Sequence, residues 1–280
     1  MQLARVRFDG AVYLAKAEAD DTVELLIREA SDPFADVLRD TLAKGLDLER
    51  AGSRTISLND CKVLAPVRFP SKFLAVGLNY LDHAAESEME TPKVPLVFSK
   101  ASSSICGPDD PVSFPTTDVE EVDYEAELAF VVGRRCKGLT EREAEDAIFG
   151  YTACNDISSR RAQFSDGQWF RGKSFDSFAP LGPWVVTDLG GAPDLGIRCL
   201  VNGEVMQDDR TSSMIFSPAT ILAYLSQFMT LWPGDIIATG TPPGVGFARV
   251  PPVFLRPGDN VAVEIEGIGR LRSSIDGGNS

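Results

Sequence analysis

Apolar and polar positions along this chain alternate mostly with a period of two, the signature of half-buried strands. Residues 2–17 alternate around Asp9-Gly10, so a hairpin is expected there. Residues 32–44 break the rhythm and predict a helix, with Asp32 as N-cap, Pro33 at the first helical position and Gly45 as the stop. From Phe73 onward short apolar runs dominate. Phe73–Gly77, Leu128–Gly133, Trp184–Thr187, Ile197–Val201, Asp235–Ala238 and Val261–Ile265 all read as strands, and Asn202-Gly203 is a second hairpin turn. Thr140-Glu141-Arg142-Glu143 is a capping box predicting a short helix that ends near Phe149. Ser217-Pro218 opens one longer helix, roughly to Met229, and the tail after Ile275 is expected to fray.

Strands outnumber helices and do not alternate with them regularly, which disfavours a doubly wound sheet or a TIM barrel and favours a β-rich α+β fold. A boundary is expected near residue 68, giving a small N-terminal α+β domain (1–67) and a catalytic domain (68–280). No G-x-G-x-x-G or P-loop joins a strand to a helix, so a nucleotide cofactor is not expected. The net charge of −14 argues against nucleic acid and anionic membranes as partners. No window reaches the roughly 20 apolar residues of a membrane span. Five widely spaced cysteines read as reduced thiols of a cytoplasmic protein.

The candidate chemistry begins with His83, the chain's single histidine. It is the one side chain whose ordinary pKa lies near neutrality. Glu86, three residues on, would share its helix face and could orient the ring as a general base; a plain surface pair is the bland reading. Glu125 and Glu127 stand two apart at a strand start among Ala126, Leu128 and Phe130. Two like charges on one face of a buried strand call for a cation, and oxygen ligands suit Mg²⁺ or Mn²⁺. An isolated E-x-E is more often a solvated strand end. Asp156 could supply a third carboxylate or cap a turn. Lys173, amid Trp169, Phe170 and Phe175, could meet an anion or simply snorkel. The loop Ala238–Gly246 could offer backbone N–H groups to an anion or be a rigid turn.

Taken in order, five segments resemble the fumarylacetoacetate hydrolase family: G-x-N-Y-x-x-H-x-x-E at 77–86, V-D-Y-E-x-E-L at 122–128, G-Y-x-x-x-N-D-x-S at 150–158, G-K-S-F-D at 172–176 and T-G-T-P-x-G-V-G at 239–246. The resemblance spans roughly residues 60–275. It implies the family's rolled β-sandwich-like core, a homodimer, and Mg²⁺ or Mn²⁺ held by Glu125, Glu127 and Asp156. It implies a catalytic His83–Glu86 dyad on a lid, with Lys173 catalytic and Gln163, Thr241 and Gly240 at the substrate. The expected substrate is a small 2-oxo or 1,3-diketo acid. The leading expectation is hydrolytic C–C cleavage of an acylpyruvate through an enolate. Decarboxylation of a 2-oxo diacid such as oxaloacetate, or isomerisation of a hydroxymuconate-type dienoate, is the alternative. Two positions depart from the family pattern: Leu78 stands where an Arg is common, and Ser159-Arg160-Arg161 replaces A-R-D, which puts Arg161 near the metal ligand in sequence.

Overall fold

A computed structural model describes residues 1–18, 21–32, 35–45, 48, 54–114, 120–190 and 193–277. Two large sheets and a two-stranded ribbon, Val122–Asp123 with Ser158–Ser159, make the β-rich α+β architecture expected from the pattern. The larger sheet runs Arg54–Ser57, Thr22–Arg28, Ala11–Ala17, Gln2–Phe8, Ala179–Val186, Ile148–Asn155, Ala126–Val132, Ile236–Ala238, Phe73–Gly77, Leu96–Ser99. The smaller runs Glu204–Arg210, Gly196–Val201, Asn260–Ile265, Gly269–Gly277, Val112–Phe114. The N-terminal strands join the larger sheet directly, through Gln2 opposite Val186 and Leu3 opposite Val185.

Ala126–Val132 is buried along its whole length, because both faces of the sheet are covered. Leu128, Phe130 and Val132 pack with Ile197, Cys199, Val261 and Val263 of the smaller sheet and with Ile221 and Leu225 of the helix Pro218–Phe228. Ala129 and Val131 face the other way, into a cluster with Leu3, Phe73 and the helix residues Val37 and Leu38. Glu125 and Glu127 have the parity of Ala129 and Val131, so the alternation that builds the core also points both carboxylates to one side.

Four strand ends then converge. Ile236–Ala238 and Phe73–Gly77 are parallel and end together, with Ala238 opposite Ala75. Ala126–Val132 is antiparallel to Ile236–Ala238 and begins at that edge, and Ile148–Asn155 ends there, with Ala126 opposite Asn155. The segments at this edge carry Leu78–Tyr80 and the short helix with His83, Glu125, Asp156 and Thr239–Gly246.

Both hairpin turns form where expected, with Asp9, Gly10, Asn202 and Gly203 at positive φ. Three boundaries are corrected. The first helix is Val37–Lys44, capped by Asp36 and not Asp32. Asp36 wins because its second oxygen also accepts the Arg68 and Phe69 amides, a tertiary bond. Pro33 lies outside the described residues. The Thr140 capping box forms, but its helix stops at Glu145, and Ile148 and Phe149 enter a strand. Asp276 and Gly277 are ordered by pairing with Ser113 and Phe114.

Candidate active site

Glu125, Glu127 and Asp156 come together at the convergent edge, buried, with ligand oxygens all within 4.8 Å of one another. Backbone bonds set the geometry. The Asp156 amide donates to the Glu125 carbonyl, and the Glu125 amide donates to Asn155 Oδ1 at 3.1 Å. The Gly240 amide donates to Glu127 Oε2 at 2.9 Å. Gly240 adopts φ of +100°, and a Cβ there would sit 2.7 Å from the Asn79 side chain, so only glycine brings that amide to the carboxylate.

Three cations surround the carboxylates. Lys173 Nζ donates to Glu125 Oε2 at 2.6 Å and to Asp156 Oδ2 at 2.7 Å. Lys100 Nζ holds the other oxygen of Asp156 at 2.5 Å. Arg160 Nη1 lies 2.7 Å from Glu125 Oε1 and donates to Gln163 Oε1 at 2.9 Å. Its Nε donates to Asp123 Oδ2 at 2.9 Å, and Nη2 sits 2.8 Å from that oxygen, within ion-pair range but off the hydrogen-bond axis. Lys100 and Asp123 were not singled out by the sequence. Lys100 stands outside the five motifs, and Asp123 lies inside the 122–128 motif without a local sign of its role, since their partners are 56 and 37 residues away. Arg161 points outward and pairs with exposed Glu120, so its departure from the family pattern does not reach the carboxylates.

The electrostatics are split. Burial alone would raise Glu125, but Lys173, Arg160 and His83 overcome it and hold its pKa at about 2. Burial pushes Glu127 well above the usual carboxylate range, reinforced by Asp156 and Glu125. Burial would lower Lys173, yet Asp156 and Glu125 keep it raised and charged. Glu127 is thus the carboxylate lacking a counter-charge of its own. An all-oxygen, closely spaced, under-compensated set fits a hard divalent cation. With four carboxylates against three cations, a divalent ion would leave the cluster with one positive charge, suited to an anionic substrate.

His83 lies on the six-residue helix Leu81–Glu86, whose N-cap residue Tyr80 makes no side-chain capping bond. His83 Nδ1 meets Glu86 Oε1 at 2.8 Å, so Nε2 is the ring nitrogen not engaged by Glu86. Glu86 in turn accepts the Gly244 amide on both oxygens, at 2.9 and 3.1 Å. The amides of Gly246 and Phe247 both donate to Asp123. The glycine-rich loop therefore gives its N–H groups to three protein carboxylates, Glu127, Glu86 and Asp123. Thr241 Oγ1 donates to the Ala126 carbonyl and accepts from Gln207 Nε2. His83, Glu125, Glu127, Arg160, Gln163, Lys173 and Thr241 all line one recess. Bonding to Arg160 fixes the Gln163 carbonyl, which directs its NH₂ away from Arg160.

The family model for the fumarylacetoacetate hydrolase C-terminal domain matches residues 72–276. Oxaloacetate tautomerase fahd2, mitochondrial, of Xenopus laevis is 46% identical over 224 residues, covering 79% of this chain and 70% of that one. The fumarylacetoacetate hydrolase of Exiguobacterium antarcticum, a solved structure, is 36% identical with a TM-score of 0.86, covering 99% of both chains. The maleylpyruvate hydrolase of Sphingobium sp. SYK-6, solved with manganese(II) and pyruvate, is 28% identical with a TM-score of 0.81, covering 100% of both. A solved 5-carboxymethyl-2-hydroxymuconate delta-isomerase from Mycobacterium smegmatis is 36% identical with a TM-score of 0.80, covering 99% of both chains. Among the described residues no helix is long and apolar enough to cross a membrane. The motifs, the fold and the matched sequence agree: this chain belongs to the fumarylacetoacetate hydrolase family, an enzyme family whose β-rich core it shares.

Proposed function

We propose that this chain uses a divalent cation, Mg²⁺ or Mn²⁺, and the His83–Glu86 pair to move a proton on an enolisable 2-oxo acid. The observation that carries the reading is a base fixed at Nδ1 beside an under-compensated carboxylate trio in one recess. Glu125, Glu127 and Asp156 would hold the cation, which when bound supplies Lewis-acid stabilisation of an enolate. Lys173, held between Glu125 and Asp156, positions those carboxylates and adds positive potential at the substrate's anionic head. Glu86 holds the His83 tautomer and stabilises the ring when it is charged. His83 Nε2 then takes the proton from the carbon next to the ketone in one direction and returns it in the other.

Proton transfer alone gives tautomerisation or isomerisation, the activities named for the Xenopus relative and the Mycobacterium smegmatis isomerase. Hydrolytic C–C cleavage of an acylpyruvate is the second reading. It is favoured by the Gln163 NH₂, a donor suited to an oxyanion, and by the hydrolases of the same fold. Incubation with Mg²⁺ or Mn²⁺ and a panel of 2-oxo and 1,3-diketo acids separates them, with keto–enol exchange followed by ultraviolet absorbance and cleavage by product identity. Release of pyruvate from acetylpyruvate at a rate exceeding enol exchange would replace the first reading by the second. Failure of Mg²⁺ and Mn²⁺ to bind would remove both. The free thiols fit a reducing compartment such as the cytoplasm, although the Xenopus relative is named mitochondrial. A homodimer is the assembly we propose, checked by light scattering.

A further inference from the structure

The walls of the recess divide sharply. One set is the buried carboxylates and cations; the other is apolar, Leu78, Met89, Phe98, Phe164, Trp169 and Phe247, and reaches the surface at Met89 and Phe164. Two edge-to-face aromatic pairs form there, Phe98 with Trp169 at 5.3 Å and Phe164 with Phe247 at 5.7 Å between centroids. Each pair abuts one of those cations. Lys173 Nζ is 5.2 Å from the Phe98 centroid, and Arg160 Cζ is 4.4 Å from that of Phe247. The aromatic surface thus starts where the charged end stops.

This wall is built into the backbone. A Cβ at Gly77 would lie 2.3 Å from the Trp169 ring, so glycine there makes room for the indole. Leu78 is buried at φ of +57°, a left-handed conformation unusual for leucine. Asn79 enforces it, donating to the Phe216 and Thr239 carbonyls and accepting the Phe216 amide. Among the described lining residues, Lys173 and Arg160 are the lysine and arginine, and both are committed to Glu125, Asp156 and Asp123. Apart from His83 Nε2, which the proposed reaction needs as an uncharged base, two neutral groups remain: the buried Ser87 hydroxyl, without a partner, and the Gln163 NH₂. They can serve a carbonyl oxygen but cannot balance a charge. A carboxylate placed among these rings would lose water and gain no counter-ion.

We propose that the 2-oxo acid taken by this chain carries an uncharged, apolar and planar arm, aryl or alkenyl, and that Leu78 and Trp169 select it. This rests on the function proposed above and narrows its substrate class, away from the dicarboxylates for which several relatives are named. The test uses Mn²⁺-loaded protein and pairs that differ in the arm: phenylpyruvate against oxaloacetate for enol exchange, and benzoylpyruvate against fumarylpyruvate for cleavage. The neutral member of each pair is expected to have kcat/KM higher by about tenfold or more. Leu78→Arg is expected to raise kcat/KM for the carboxylate-armed member and shrink that ratio, and Trp169→Ala to shrink it by lowering the neutral one. A wild-type preference for the carboxylate-armed members, or parity, overturns the proposal while leaving the proposed chemistry standing. If neither pair turns over, the chemistry fails and binding decides the arm. Calorimetry with phenylpyruvate and oxaloacetate then supports the proposal if the former binds tighter, and overturns it otherwise.

Discussion

The carboxylate end and the histidine end of the recess are built on opposite plans. Glu125, Glu127 and Asp156 stand on the ends of core strands, fully buried, and three cations contact the set at 2.5–2.7 Å. His83 stands on a six-residue helix lacking a side-chain N-cap, joined to the glycine-rich loop through Glu86. A short helix of this kind has little stability of its own. The difference teaches where precision and movement are each needed. On the function proposed above, the carboxylates would have to be in place before substrate arrives, whereas a base on a short helix could be brought in afterwards.

Four experiments press on this comparison, and the largest effect is expected at the rigid end. Glu127→Ala, or chelation by EDTA, should reduce turnover by at least about 10³-fold, in the range of losing a principal electrostatic contribution. Isothermal titration should show Mg²⁺ and Mn²⁺ affinity lost in the variant. Full activity in EDTA sinks the metal assignment. Next comes His83→Ala, with turnover down about 10²–10⁴-fold, the span of general acid–base catalysis. Metal affinity should stay nearly intact, since His83 and the carboxylates sit on separate elements; an equal loss of both would erase the division drawn here. Glu86→Gln should cost about tenfold in turnover, less than removing His83, because the imidazole remains but loses the carboxylate that steadies its charge. An unchanged rate-versus-pH profile in that variant would show that Glu86 only latches the helix.

The smallest effect is on stability. Glu127 has a folded pKa above its unfolded value, so over that interval the folded state keeps a proton that the unfolded chain has released. Metal-free protein should therefore lose stability as pH rises from the unfolded carboxylate value through the folded one, by at most about 1.4 kcal/mol per pH unit from this group. Glu125 acts oppositely. Its contribution is full above the unfolded value and fades as pH falls toward its folded pKa of about 2. Urea titrations in EDTA across pH should show the Glu127 slope, and saturating Mg²⁺ should flatten it, because binding the cation requires the charged form.

The carboxylates were legible before the structure because they sit in a strand whose alternation is itself readable. Glu125 and Glu127 declare a shared face by their spacing, and the family motifs bring in Asp156. His83 and Glu86 were legible for the same local reason, with a helix placing them three apart. Lys100 was not, since its bond to Asp156 exists only after distant segments of the sheet are paired. The pair Arg160-Arg161 shows the limit well. Sequence drew attention to Arg161, whereas strand and helix geometry turns Arg160 inward and Arg161 out. The displaced helix start at Asp36 has the same cause, a cap chosen by amides about 30 residues away.

The loop from Gly240 to Phe247 holds Glu127, Glu86 and Asp123 through main-chain amides. A side-chain donor can be lost to one codon change, but a peptide N–H is common to every residue except proline. The positions that orient the reactive groups are thus shielded from most substitutions, provided the glycines that permit the backbone course persist. The aromatic and leucine wall has no such protection, since each of its contacts belongs to a particular side chain. Drift in this gene would therefore alter which molecule is accepted long before it altered what is done to that molecule.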